Sequence, residues 1–225
     1  MIKEIAEELK NSLGISHEQL VREEYEMIIL KKLYESDQGK SFVFKGGTAL
    51  RLAYGSQRFS EDLDFTVVNE FSKDKMNILF KDLEKRHEAL HLIETLRKRY
   101  TFFGLFKVKE YFMKQAFSIK FEASCRPTDY KEGKDYSLKI LSSPVTNLSA
   151  LALVDNIENI KKDKETIIPG RPRDVFDLWF IGNKQGKDIE LGLGQFDRNT
   201  LIGGLLKNLP LGLRAMLKIK SRKST

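Results

Sequence analysis

Apolar residues recur at helical spacing early in the chain and give way to alternating aromatic and β-branched runs in its middle. Val21, Tyr25, Ile28, Ile29 and Leu33 fall on one face of a helix ending near Tyr34. Its start is marked by Ser16 with Gln19 three residues on, a capping box, and by Ile15 and Leu20 as a hydrophobic staple. Ser41 to Phe44 is a short β-prone run that Gly46-Gly47 stops; Thr48 to Tyr54 reads as a helix and Leu63 to Val68 as a second strand. A long polar helix is predicted from Ser72 to about His91. Arg99–Val108 and Gln115–Ser124 are strand-like; in the second, Phe117, Ile119 and Phe121 share one face and Ser118, Lys120 and Glu122 the other. Tyr136 to Leu141 adds one more strand.

From Thr146 the periodicity turns helical again, with segments at Asn147–Ile160 and Arg171–Ile181 and weaker ones towards Leu217. The pattern predicts an α/β (α+β) protein: a short mixed sheet with flanking helices in residues 1–145, then a helical lobe in residues 146–225. Trp179 and Phe180 read as core residues of that lobe. Phe102, Phe103 and Phe106 read as core, with base stacking as the rival role.

Composition narrows the chemistry. With 225 residues and 41% hydrophobic content the chain can bury a core without staples. One cysteine, Cys125, excludes an internal disulfide framework and multi-cysteine metal sites, and it reads as a small core residue. The three histidines, His17, His87 and His91, show no ligand-like grouping. No apolar run approaches the ~18–20 residues of a membrane span. The N-terminal Met1-Ile2-Lys3-Glu4-Ile5 has an early acid and no apolar signal core, so a cytoplasmic protein without a membrane partner is expected. A net charge of +7 suits a phosphate-rich partner, although it also serves solubility; part of it lies in the tail from Leu217 to Lys223.

The candidate chemistry sits in one stretch. Lys45-Gly46-Gly47-Thr48 is a strand end, a glycine turn and a helix start, and Asp62-Leu63-Asp64 opens the next strand. Two glycines let main-chain N–H groups approach a phosphate, and the helix N-terminus adds partial positive charge. Thr48 can cap that helix or donate to a phosphate oxygen. Asp62 and Asp64 point to the same side of an extended segment and repel unless a cation lies between them; oxygen-only ligation of this kind suits Mg²⁺ with substrate phosphates. Glu122, on the polar face of a later strand, is the candidate third ligand, against the plainer reading of a solvated strand residue. Arg51, one turn after Thr48, and Arg58 are placed to reach a phosphate, as is Lys45. Arg58 has Glu61 as its alternative partner.

Lys45-Gly46-Gly47-Thr48-Ala49-Leu50-Arg51-Leu52 followed by Arg58-Phe59-Ser60-Glu61-Asp62-Leu63-Asp64-Phe65 closely resembles the AbiEii/AbiGii family of nucleotidyltransferase toxins, within the polymerase-β-like superfamily. Arg171-Pro172-Arg173-Asp174-Val175-Phe176-Asp177-Leu178 resembles its third signature. Read alone, Asp174 at a helix start and an Arg173–Asp177 surface pair are stabilising devices. The resemblance instead places Asp174 in the active site, needed for activity and a candidate general base beside the carboxylates of the Asp-x-Asp strand. Family members also carry a Glu-Lys pair on the preceding helix. Here Asp155-Asn156 falls at that position, with Lys161 or Lys162 as candidate replacements.

The resemblance implies a nucleotidyltransferase-like sheet and transfer of NMP from a nucleoside triphosphate. Asp62, Asp64 and Glu122 would hold a two-metal Mg²⁺ site, with Mn²⁺ as an alternative ion. Gly46, Gly47 and Thr48 would cradle the triphosphate. It further implies the toxin of a toxin–antitoxin, abortive-infection or phage-defence system with a cognate antitoxin encoded nearby. The acceptor would be RNA, the tRNA 3′ end in particular. The rival readings are transfer to a protein hydroxyl and a degenerate member that binds nucleotide or RNA without turnover.

Overall fold

The computed structural model describes residues 1–167, 171–187, 197–211 and 213. Two N-terminal helices, α1 (Lys3–Leu13) and α2 (His17–Tyr34), precede strand β1 (Phe42–Lys45), helix α3 (Gly46–Tyr54), strand β2 (Asp62–Val67) and helix α4 (Lys73–Arg86). Strands β3 (Leu90–Lys98), β4 (Thr101–Val108), β5 (Phe117–Ser124), β6 (Tyr136–Ser143) and β7 (Thr146–Asp155) follow. Helices α5 (Ile157–Glu165), α6 (Pro172–Gln185) and α7 (Arg198–Leu206) close the described chain. The strands form one mixed sheet in the order β3-β4-β5-β2-β1-β7-β6.

Local signals explain much of this. The capping box forms as read: Ser16 Oγ accepts from the Gln19 amide at 3.1 Å, and Gln19 Oε1 accepts from the Ser16 amide at 3.0 Å. Both residues of the predicted staple, Ile15 and Leu20, are buried. One sheet face carries Phe42, Phe44, Phe65, Phe102, Phe106 and Phe121, which with Phe80 of α4 make a fully buried aromatic core. Each such ring contributes about 1.5–3 kcal/mol of burial free energy. Helix α2 packs on β7 and β6, and α4 packs on β3, so the helices cover this face. Across β3, β4 and β5 the opposite face is left open by the described residues, with Glu94, Lys98, Lys107, Ser118, Lys120 and Glu122 exposed.

Several expectations are corrected. Residues Thr146–Asp155, placed in the helical lobe by their periodicity, form strand β7 between β1 and β6. Ala150, Ala152 and Val154 are buried on the core face, and pairing with β6 over Tyr136–Ser143 satisfies the main chain; tertiary packing overrides helix propensity. The sheet is therefore longer than the short one expected, and residues 145 and 146 lie within a β-hairpin. The helical part begins only at α5. Helix α4 stops at Arg86, and His91 belongs to β3. Trp179, expected in the core, is half exposed on α6. The segments beyond residue 213, with the basic run Leu217–Lys223, lie outside the described residues. No described helix is long and apolar enough to cross a membrane.

Candidate active site

The site grows from the β1–α3 turn. Lys45 is extended and Gly46 turns into the left-handed region, φ 80°, to start α3 directly from the strand. No side chain caps that helix start. Gly46 is also a close-approach position, since a Cβ there would lie 2.6 Å from Asp64 Oδ2. Gly47 packs against the Arg58 guanidinium and Ser60 Oγ, leaving no room for a side chain. Gly46→Ala is expected to combine ~1–2 kcal/mol of backbone strain with displacement of Asp64. A lowered melting temperature together with a loss of transfer larger than the unfolded fraction explains would check this.

Register brings the charged residues together. Lys45 is paired with Asp64 across β1 and β2, and Asp64 with Glu122 across β2 and β5. Asp62 faces Lys120 on the neighbouring row, with the Lys120 ammonium 4.0 Å from its carboxylate. Burial, together with the nearby Asp62 and Glu122 carboxylates, pushes Asp64 up to about 6, against the pull of Lys164 and Lys45. A carboxylate disfavoured in its charged form by its own neighbours is a site that a cation would relieve. Among the described residues no three His, Cys, Asp or Glu side chains are gathered as a ready-made metal cage. Glu122 thus stands beside Asp64 without closing the expected three-carboxylate ligand set. The donors present fit a Mg²⁺ ion held by one or two carboxylates and completed by phosphate oxygens and water.

A second charged layer comes from α5 and α6. Lys45 Nζ reaches Asp163 at 2.7 Å, tying α5 to the end of β1. Lys164 Nζ lies 2.8 Å from Asp174 and 2.7 Å from Asp177, and Arg171 Nε lies 2.6 Å from Asp174. Lys164 and Arg171 both exert an electrostatic pull on Asp64. Burial pushes Asp174 up, but Arg171 and Lys164 outweigh it and hold the carboxyl below its usual range. Asp174, which the resemblance implied as a site residue, is thus held in this second charged layer by Lys164 and Arg171, which makes it a weak proton acceptor.

Three residues assigned to phosphate are committed elsewhere. The buried Thr48 hydroxyl donates to the Asp62 carbonyl, tying α3 to β2. Arg51 donates to Glu23 through Nε at 2.7 Å and Nη2 at 3.1 Å, with its guanidinium 4.1 Å from the Phe59 ring centre. Arg58 is buried and grips Asp177 through two bonds of 2.8 Å, rather than pairing with Glu61. Glu61 pairs with Lys207 instead.

Lys164 is the candidate site residue that sequence reasoning missed. Asn156, aligned with the family lysine, is the N-cap of α5: its side chain accepts from the Asn159 amide at 2.9 Å and donates to the Lys134 carbonyl at 2.7 Å. Lys161 pairs with Glu165, and Lys162 is exposed. The acid–lysine pair that reaches the site is Asp163-Lys164. Its signal was a lysine ten positions before Asp174 on the helix preceding α6. Asp155, buried at the end of β7 and pushed up to about 6 chiefly by burial, also lies near Lys45.

Comparison with known proteins follows the same lines. The model of the family described as nucleotidyl transferase AbiEii toxin, type IV TA system, matches residues 28–136. Among solved structures, JHP933 from Helicobacter pylori is similar with a TM-score of 0.56 and 22% identity, over 92% of this chain and 94% of that one. MenT4, the nucleotidyltransferase toxin Rv2826c from Mycobacterium tuberculosis H37Rv, is similar with a TM-score of 0.53 and 15% identity, over 90% of this chain and 69% of that one. No curated protein matches the chain in sequence. Residues 28–136, which hold the glycine turn, both aspartates of β2 and Glu122, belong to the AbiEii nucleotidyltransferase toxin family, and the chain is a nucleotidyltransferase.

Proposed function

We propose that the protein is a Mg²⁺-dependent toxin that transfers NMP from a nucleoside triphosphate to the 3′ hydroxyl of an RNA, tRNA in particular, and that a cognate antitoxin restrains it in the cytoplasm. The carrying observation is Asp64, wedged against Gly46 and raised by burial and by Asp62 and Glu122, at the mouth of an uncapped helix start. Mg²⁺ bound at Asp62 and Asp64 would neutralise phosphate charge and the developing charge on the leaving group. The main-chain N–H groups at the start of α3 bind the triphosphate, and Lys45, Lys164 and Arg171 line its β1 side. The acceptor oxygen forms a bond to the α-phosphorus while the bond from that phosphorus to the bridging oxygen breaks, releasing pyrophosphate. With Asp174 held anionic by its ion pairs, a β2 carboxylate takes the hydroxyl proton. The net charge of +7 and the exposed lysines of the open sheet face favour RNA over a neutral acceptor.

The test is label transfer from nucleoside triphosphates carrying label at the α-phosphate, with total tRNA and cell protein offered together. Label in a ribonuclease-sensitive band is expected. Label that resists ribonuclease and yields to protease would move the acceptor to a protein hydroxyl.

A further inference from the structure

Phe103 breaks the pattern of its strand. Its neighbours Phe102 and Phe106 are fully buried in the aromatic core, whereas Phe103 is half-buried on the opposite, open face of β4. Register places it in one row with the site: Leu96 pairs with Phe103, Phe103 with Glu122, Glu122 with Asp64, and Asp64 with Lys45. Phe103 thus stands two strands from Asp64, about 10 Å away at ~4.8 Å per strand. Leu96 is 41% exposed at the far end of this row, and Leu105 is half-buried in the next. No described helix covers this apolar strip, and exposed Lys98, Lys107 and Lys120 flank it on the same face.

Resting on the reading of the protein as an RNA nucleotidyltransferase, we propose that Phe103 is the stacking platform for a nucleobase at the acceptor's 3′ end, setting its hydroxyl towards Asp62 and Asp64. The occupant is the acceptor rather than the triphosphate because the two sides of the carboxylates differ. The glycine turn and Lys45 lie on the β1 side of Asp64, and Lys164 and Arg171, paired with Asp174, also act electrostatically on Asp64. The β5–β4–β3 side offers an aromatic face bordered by separated lysines, which is the arrangement that binds single-stranded nucleic acid with little sequence preference. Phe103 is on this account a positioning residue for the acceptor.

The test measures binding of a short fluorescein-labelled single-stranded RNA with a free 3′ hydroxyl by anisotropy, and of nucleoside triphosphate separately. Wild type, Phe103→Leu and Phe103→Trp are compared after thermal melting confirms their folds. Leu keeps apolar bulk without a ring. Phe103→Leu is expected to weaken RNA binding about ten-fold, the effect of losing one base–aromatic stack, while Phe103→Trp restores it and triphosphate affinity stays constant. Wild-type RNA affinity in Phe103→Leu overturns the proposal, as does triphosphate affinity falling in step with RNA affinity. If wild type transfers label to RNA and Phe103→Leu binds RNA normally, only this inference fails. If wild type neither binds nor labels RNA, the RNA reading fails and takes the inference with it.

Discussion

Asp64→Asn is expected to lower nucleotidyl transfer by about a thousand-fold or more, while leaving the metal-free protein as stable as the wild type or more so at neutral pH. The activity arm follows from the removal of a charged oxygen at the only described position where strand, glycine turn and neighbouring carboxylates converge; cation-based charge neutralisation contributes several kcal/mol, and each 1.4 is about ten-fold. The stability arm has the opposite sign. Burial and the adjacent carboxylates push Asp64 up to about 6 in the folded protein, above its unfolded range. Its favourable contribution is therefore full below about pH 4 and is lost as pH rises through about 6, a cost on the order of 1–3 kcal/mol at neutral pH for a group still in partial contact with solvent. The amide does not ionise and escapes that cost. Activity assays beside thermal melts at pH 5 and 7 check both arms. Equal loss of activity and stability would make Asp64 a structural residue.

Arg58→Ala carries the largest stability effect. The guanidinium is buried and holds Asp177 through two bonds, while Asp177 shares Lys164 with Asp174. Removing Arg58 leaves the buried Asp177 with only the Lys164 ammonium that it shares with Asp174, a loss of up to ~3–5 kcal/mol, equivalent to a melting temperature lower by up to roughly 6–20 °C for a chain of this size. Arg58→Lys should recover only part, since an ammonium cannot reproduce the planar two-point grip. Circular dichroism melts decide the matter. An unchanged melting temperature with a raised KM for the triphosphate would return Arg58 to the phosphate-binding role first read from the sequence.

That difference illustrates what was legible. The glycine turn, the Asp-x-Asp strand and the Ser16–Gln19 cap are set by local geometry, and their residues announce it. The alternation in Phe117–Ser124 likewise fixed which face holds Glu122. The pairing of Arg51 and Arg58 was not legible because Glu23 and Asp177, their partners, lie 28 and 119 positions away. A basic residue beside a glycine turn looks the same whether it faces phosphate or a distant buried carboxylate. Strand β7 was hidden because Ala and Leu favour helices in isolation, and only the flanking β1 and β6 make them a strand. Lys164 escaped because its place depends on how α5 docks through Asp163 onto Lys45. That docking brings a lysine beside Asp174 and Asp177, although Asn156 stands where one was expected.

The most direct test of the central claim is pyrophosphate release from nucleoside triphosphates by wild type, with Mg²⁺ and total tRNA, beside Asp64→Asn and a chelator control. Release that needs RNA, disappears with chelator and is absent in Asp64→Asn is the expected result. Release that persists in Asp64→Asn, or no release while RNA and triphosphate both bind, would contradict the assignment of the β2 carboxylates as the centre of nucleotidyl transfer.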